Sequence, residues 1–129
     1  MKEPYWFSRA ESLALHRLML ADYGGANGVR DETMLESALV KARNRFLYGE
    51  HSMVILAAAY TVGVVKNHPF VDGNKRTGFM IGVAFLERNG RHFHGSEVDA
   101  VLKTLALAAG ELDEAGYAQW LEENSQPAR

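Results

Sequence analysis

Apolar residues recur with a helical period along most of the chain, and Pro69 is the one proline in its interior, so the pattern predicts helices rather than strands. Ser8 with Glu11 forms a capping-box signature ahead of Leu13, Ala14, Leu18 and Ala21, and Tyr23-Gly24-Gly25 stops this first helix. Asp31 can cap a second helix with Met34, Leu35, Ala38, Leu39 and Ala42 on one face and Arg43 and Arg45 near its end. From Ser52 to Asn67 the chain is apolar on nearly every side. Its length and the run Ala57-Ala58-Ala59 favour a buried helix, which Pro69 ends by pushing His68 out of the α region. A fourth helix is expected from near Gly73 to Asn89, with Gly90 as its stop and Phe79, Met80, Val83, Phe85 and Leu86 facing the core. Arg91 to Gly95 reads as irregular. Ser96 then caps a fifth helix whose Val98, Val101, Leu102, Leu105, Ala106 and Ala109 form the cleanest amphipathic pattern of the chain. Asp113 starts a short last helix with Tyr117, Trp120 and Leu121, and residues 125–129 read as a frayed tail. Trp6 and Trp120 are expected to pack near the termini. No repeat, linker or hairpin signal stands out, so the expected architecture is all-α: one domain over residues 1–129, built from about six helices.

Composition agrees with one ordinary globular domain: 129 residues, 47% hydrophobic and 23% charged. A chain of this size buries roughly two thirds of its unfolded surface and needs no disulfide or metal to hold a core. The absence of cysteine excludes a thiol nucleophile, cysteine-ligated zinc and a disulfide scaffold. It also fits a reducing compartment, so the cytoplasm is the expected location. Lys and Arg total 14 against 16 Asp and Glu, with no basic block to neutralise a run of phosphates, which argues against direct nucleic-acid binding. The longest apolar run, Met53 to Val65, falls short of the roughly 20 residues that span a bilayer. Met1-Lys2-Glu3-Pro4 leads into no apolar signal core, so the mature chain is expected to start there.

The chemically informative string is His68-Pro69-Phe70-Val71-Asp72-Gly73-Asn74-Lys75-Arg76-Thr77, a short polar loop that joins the two most buried helices. At the start of a helix the first N–H groups lack partners and the dipole leaves about half a positive charge, so Gly73, Asn74 and Lys75 can present amides to an anion. Lys75 and Arg76 add donors, Arg as a planar fork that matches phosphate oxygens. Cations in a first turn oppose the helix dipole, which makes sense opposite an anionic ligand. With Asp72 as one carboxylate, the set suggests a Mg²⁺–nucleotide site. His68 adds a base that can take a proton from an attacking hydroxyl. Singly, each has a plainer reading: Asp72 as a helix cap, His68 as a solvated residue before proline, Lys75 and Arg76 as a solvated turn. Together they read as phosphoryl or nucleotidyl transfer.

This string resembles the Fic/Doc family motif, His-x-Phe-x-[Asp/Glu]-[Gly/Ala]-Asn-[Gly/Lys]-Arg, and specifically its Doc (death-on-curing) branch. His16, Tyr23-Gly24-Gly25, Gly28-Val29-Arg30-Asp31 with Leu35-Glu36-Ser37-Ala38-Leu39, and Arg43-Asn44-Arg45-Phe46 with Tyr48-Gly49-Glu50 are similar to segments of the same branch, so the resemblance runs from about residue 10 to 122. It implies the toxin of a toxin–antitoxin pair that uses ATP and Mg²⁺ to modify a protein hydroxyl and inhibit translation. Carried over by position, His68 would be the general base, Asp72 the Mg²⁺ ligand, and Phe70 the anchor of the loop. Gly73, Asn74 and Lys75 would form the anion hole and Arg76 would grip phosphate, with Thr77 completing the nucleotide-binding set.

Two positions depart from the AMP-transferring branch, which has Gly where this chain has Lys75 and a second Arg where it has Phe79. In Doc-like members this is taken to present the γ-phosphate to the acceptor, so kinase chemistry on a Ser or Thr hydroxyl outranks AMP transfer, and a non-catalytic nucleotide- or antitoxin-binding module is the third reading. The acceptor implied is elongation factor Tu. No inhibitory [Ser/Thr]-x-x-x-Glu-[Gly/Asn] string is present, so inhibition is expected from a Phd-type antitoxin, with Arg43, Arg45 and Arg91 to His94 as candidate contacts. His16 reads as a structural hydrogen-bonding residue. His92 and His94 share one side of an extended segment but lack a third ligand for a metal.

Overall fold

A computed structural model describes residues 2–128; the chain start at Met1 and the last residue of the expected tail, Arg129, lie outside the described residues. Among them the order is α1 (Arg9–Tyr23), α2 (Glu32–Leu47), α3 (Met53–Asn67), α4 (Asn74–Arg88), β1 (Arg91–Phe93), α5 (Glu97–Ala108), α6 (Glu114–Glu123) and β2 (Ser125–Pro127). The starts of five helices were written locally. Ser8, Asp31, Ser52, Ser96 and Asp113 each accept an N–H from the first turn of the helix they precede.

α3 is the hub. It packs against α2, α4, α5 and α6, and its residues from Leu56 to Val65 are all buried. Small residues let its neighbours approach. A Cβ added at Gly63 would stand 3.0 Å from the Ala38 backbone of α2, and one added at Gly82 of α4 would stand 2.4 Å from Thr61 Oγ1 of α3. The tight α3–α4 pairing, closed by the Thr61 hydroxyl donating to the Gly78 carbonyl at 2.8 Å, puts the end of α3 beside the start of α4 and leaves only a short loop between them. Trp6 stacks on Phe85 with ring centres 5.9 Å apart, and Trp120 is buried among Phe79, Phe93 and Tyr117.

Two expectations change. The irregular segment after α4 and the tail beyond α6 form a short antiparallel pair, Arg91 opposite Pro127, His92 opposite Gln126 and Phe93 opposite Ser125. Arg91 fastens it: its Nε donates to Ser125 Oγ at 2.7 Å, and its Nη2 lies 2.8 Å from Glu122. With α5 and α6 between the strands, no local turn could have announced it.

The second change concerns α5. An amphipathic stripe ordinarily turns toward the core. Here Ala100, Thr104 and Leu107 face inward, while Val98 (72% exposed), Val101, Leu102 (59%) and Leu105 face outward. Polar satisfaction selects this orientation. The Thr104 hydroxyl meets the buried Tyr117 hydroxyl at 3.2 Å, and Asp99 accepts the Trp120 indole N–H at 2.6 Å. His68 leaves the right-handed helical region as expected and takes the left-handed one, where it caps α3.

Glu11 ties two helices. It completes the capping box of α1 and pairs with Arg88 at the end of α4. The Arg88 hydrogen bond, helped by the Ser8 N–H, holds its carboxyl down at about 2. A depressed folded value stabilises the fold above the unfolded glutamate pKa of about 4.3. That support fades as pH falls toward 2. Glu11→Gln is therefore expected to cost about 1 kcal/mol at neutral pH in urea unfolding, the modest figure reflecting a partly solvated pair. The gap between variant and parent should close as the pH approaches 2.

Candidate active site

The α3–α4 loop is pinned from beneath. Phe70 is fully buried, and the Asn74 side chain clasps its backbone from both sides: Phe70 N–H donates to Asn74 Oδ1 and Asn74 Nδ2 donates to the Phe70 carbonyl, each at 2.9 Å. His16 of α1 lies flat against the Phe70 ring, centres 3.9 Å apart and planes 9° from parallel, with Nε2 2.8 Å from the Asp72 carbonyl. Phe70 is thus the anchor expected of it, and His16 the hydrogen-bonding residue.

The segment after α1 covers the loop from the other side. Val71 N–H donates to the Gly28 carbonyl at 3.0 Å, and the Pro69 carbonyl accepts from Arg30 N–H at 2.7 Å and Asp31 N–H at 3.1 Å. The Arg30 side chain caps α3, its Nε donating to the His68 carbonyl at 2.7 Å and its Nη2 to the Asn67 carbonyl at 3.0 Å. These bonds hold His68 at φ 52°, ψ 53°, among the described residues the one non-glycine at positive φ. Such a conformation costs on the order of 1–2 kcal/mol and persists where neighbours over-determine it. No local signal in the sequence announces this task for Arg30, because the carbonyls it bonds lie 37 and 38 residues away.

Against this frame the solvent face carries His68, Asp72, Lys75 and Arg76, all exposed. α4 begins differently from the other helices: Gly73, in the left-handed region at φ 76°, precedes it, and no side chain caps it. Its first helical bond is Thr77 N–H to the Gly73 carbonyl, so the amides of Asn74, Lys75 and Arg76 have no intrahelical partner. Asp72 accepts the Gly73 N–H at 2.8 Å and the Ala26 N–H at 3.3 Å, and these two bonds hold its carboxyl below the usual carboxylate range. The Arg76 guanidinium lies 4.1 Å over the Tyr23 ring, a cation–π contact that keeps it near the loop.

Three residues of the expected set are committed elsewhere, Gly73 among them: its N–H donates to Asp72 Oδ1 at 2.8 Å and is not left for an anion. Thr77 is completely buried with its hydroxyl unpartnered, so it belongs to the packing of α4 and cannot touch a ligand on the loop's outer face. The Asn74 side chain is likewise buried and committed to Phe70, which leaves its backbone amide for an anion. Phe79 is packed in the aromatic cluster with Phe93 and Trp120.

The family model of the Fic/DOC family matches residues 6–86, from before α1 to near the end of α4. The chain belongs to that family. It is 33% identical over 115 residues to Protein kinase doc of Escherichia phage P1, covering 88% of this chain and 90% of that protein. It is 37% identical over 71 residues to Toxin Doc of Mycolicibacterium smegmatis, covering 53% and 54% of the two chains. The stretch that carries the Fic/DOC match contains the whole loop and its frame: His16, Arg30, and residues 68–77.

Other candidate residues lie apart from the loop. Among the described residues no group of three or more His, Asp or Glu converges as a metal cluster, and His92 pairs with Glu87 at 3.0 Å. A cavity of about 870 Å³ opens between α2 and α3, but its cations are engaged: Lys41 and Arg45 with Glu114, Lys66 with the Leu107 carbonyl. Among the described residues no helix is long and apolar enough to cross a membrane.

Gly25 sets the distance between the post-α1 segment and Asp72: at φ 122°, an added Cβ would lie 2.8 Å from Asp72 Oδ2. Gly25→Ala is expected to break the Ala26 bond to Asp72 and let the carboxyl titrate closer to an ordinary aspartate. An NMR titration of the Asp72 carboxyl carbon measures the rise; an unchanged midpoint would show that Gly25 does not govern this contact.

Proposed function

We propose that this chain is a Doc-type toxin that transfers the γ-phosphate of ATP to a serine or threonine hydroxyl of a translation protein, elongation factor Tu being the expected acceptor. The observation that carries the reading is the uncapped start of α4, where three partnerless amides adjoin a ligand-type carboxylate, two exposed cations and an exposed histidine. The names of the two relatives, Protein kinase doc and Toxin Doc, support the same direction.

The residues fit a magnesium nucleotide. Asp72, already held ionised by two N–H donors, would contribute one oxygen ligand, and Mg²⁺ characteristically takes one or two carboxylates together with phosphate oxygens. Bound Mg²⁺ would neutralise phosphate charge. The amides of Asn74 and Lys75, with the Lys75 and Arg76 side chains, would receive the phosphates, and Gly73 would let them approach the backbone. His68 would accept the proton of the acceptor hydroxyl as its oxygen bonds the γ-phosphorus; the bond from that phosphorus to the β,γ-bridging oxygen breaks, and ADP leaves. AMP transfer is the second reading. Phe79 argues against it, since its side chain is packed between Phe93 and Trp120 and offers no second phosphate clamp.

A toxin of this type would act in the cytoplasm under the control of a Phd-type antitoxin. Of the contacts expected for it, Arg45 is paired with Glu114, Arg91 with Glu122 and His92 with Glu87, while Arg43 stands 3.9 Å from Glu3. The exposed stripe of α5 is the larger unpartnered surface.

Incubation of the purified protein with γ-labelled or α-labelled ATP, Mg²⁺ and elongation factor Tu tests the chemistry. Label is expected from the γ position only, and His68→Ala should reduce transfer by roughly 100-fold or more. α-label would move the assignment to AMP transfer, and a fully toxic His68→Ala variant would favour the binding module. A Leu102→Asp variant is expected to keep transfer and escape the cognate antitoxin in a co-expression growth assay; normal neutralisation would remove α5 from that contact.

A further inference from the structure

We propose that His16 is a positioning residue that locks the peptide group between Asp72 and Gly73 in one orientation, carbonyl inward and N–H outward. The inference rests on the reading of the loop as a phosphate cradle and adds the residue that sets its geometry.

A carbonyl oxygen can only accept, so the 2.8 Å contact between His16 Nε2 and the Asp72 carbonyl requires the proton on Nε2. In a trans peptide the carbonyl and the following N–H point in opposite directions. Holding the Asp72 carbonyl against α1 therefore aims the Gly73 N–H the other way, where it meets Asp72 Oδ1 at 2.8 Å. Gly73 itself supplies no such constraint. At φ 76° it has the freedom of a residue without a Cβ, and the peptide on its N-terminal side can flip at little steric cost. Neither Asp72 nor Gly73 is buried, so packing does not fix that plane.

His16 is equipped to fix it. It is 2% exposed, and its ring stacks on Phe70, which the Asn74 side chain holds in turn. A Cβ on Gly73 would lie 3.7 Å from His16 Nε2, so the imidazole sits directly under the peptide group it bonds. The bond spans 56 residues and joins α1 to the one point of the loop where the Asp72 carboxylate and the peptide leading into the cradle are oriented, the Gly73 N–H being held by that carboxylate.

Two substitutions separate the ring from the donor. His16→Phe keeps a flat ring on Phe70 and removes the N–H, while His16→Gln keeps an N–H donor and removes the ring. In crystal structures, the Asp72–Gly73 peptide is expected to turn over in His16→Phe and to keep its orientation in His16→Gln. Hydrogen exchange of the Gly73 amide should accelerate at least tenfold in the first and stay near the parental rate in the second. In the transfer assay His16→Phe is expected to lose on the order of 100-fold in kcat/KM, with most of it regained in His16→Gln, at matched folded fractions by circular dichroism. An unchanged peptide orientation and Gly73 exchange rate in folded His16→Phe would overturn the proposal. Absence of transfer by the parent protein would instead count against the kinase reading, and the structural and exchange measurements would still decide the role of His16.

Discussion

The clasp between Asn74 and Phe70 is the constraint from which the rest of the loop follows. A loop that turns directly between two buried helices must satisfy its backbone groups or leave them stranded in the core. One amide side chain answers both groups of Phe70, at 2.9 Å each, and does so from the first residue of the next helix. That closes a ring of five residues, 70–74, buries the phenyl group, and gives His16 a flat surface to lie on. With the inside of the loop committed in this way, His68, Asp72, Lys75 and Arg76 are left on the outside. An asparagine that reads in the sequence as part of an anion site therefore spends its side chain on architecture and offers the site only its amide.

The division of labour extends to α1. Its carboxyl end places Tyr23 against Arg76, and the segment after it places Gly25 against Asp72 and the Ala26 amide on the same carboxylate, while Arg30 and His16 hold the loop from opposite sides. Strain at His68 is tolerable because the carbonyls at residues 67, 68 and 69 are all engaged by Arg30 or its neighbour Asp31. A glycine-rich segment with no regular structure of its own thus becomes rigid through the loop it covers. The match to the Fic/DOC family begins before α1 and not at the loop, in keeping with a site that needs both segments.

What the sequence made legible was local. A Ser or Asp followed by its helix puts donor and acceptor within three residues, so the starts of α1, α2, α3, α5 and α6 could be read directly, as could the string from His68 to Arg76. What it hid was settled by tertiary partners. Thr77 looks like the end of a phosphate-binding run until the helical period turns it beneath α4. The β1–β2 pair joins segments separated by two helices, and the partner that fastens it, Ser125, sits in what reads as a polar tail. The amphipathic pattern of α5 misleads for a related reason. Periodicity reports a stripe but not what the stripe faces, and the hydroxyl of Thr104 and carboxylate of Asp99 were needed on the inside by Tyr117 and Trp120. Burial of an aromatic hydroxyl demands a partner: Tyr117 has its own ionisation pushed up to about 12 by burial.

The same aromatic cluster bears on the chemistry. Phe79 lies one turn beyond Lys75 on α4, where a cation would add to the positive charge of the helix start. Instead the residue packs with Phe93 of β1 and Trp120 of α6, so the position is tied to the elements outside the matched region. Replacing it with arginine would give up the aromatic contacts that Phe79 makes with Phe93 and Trp120, so the position is not a patch of indifferent surface. Cationic charge is confined to the first turn, at Lys75 and Arg76, close to the exposed histidine. The arrangement concentrates the exposed cations and free amides at one end of the loop, and the packing that anchors the short sheet is what keeps the next turn of α4 apolar.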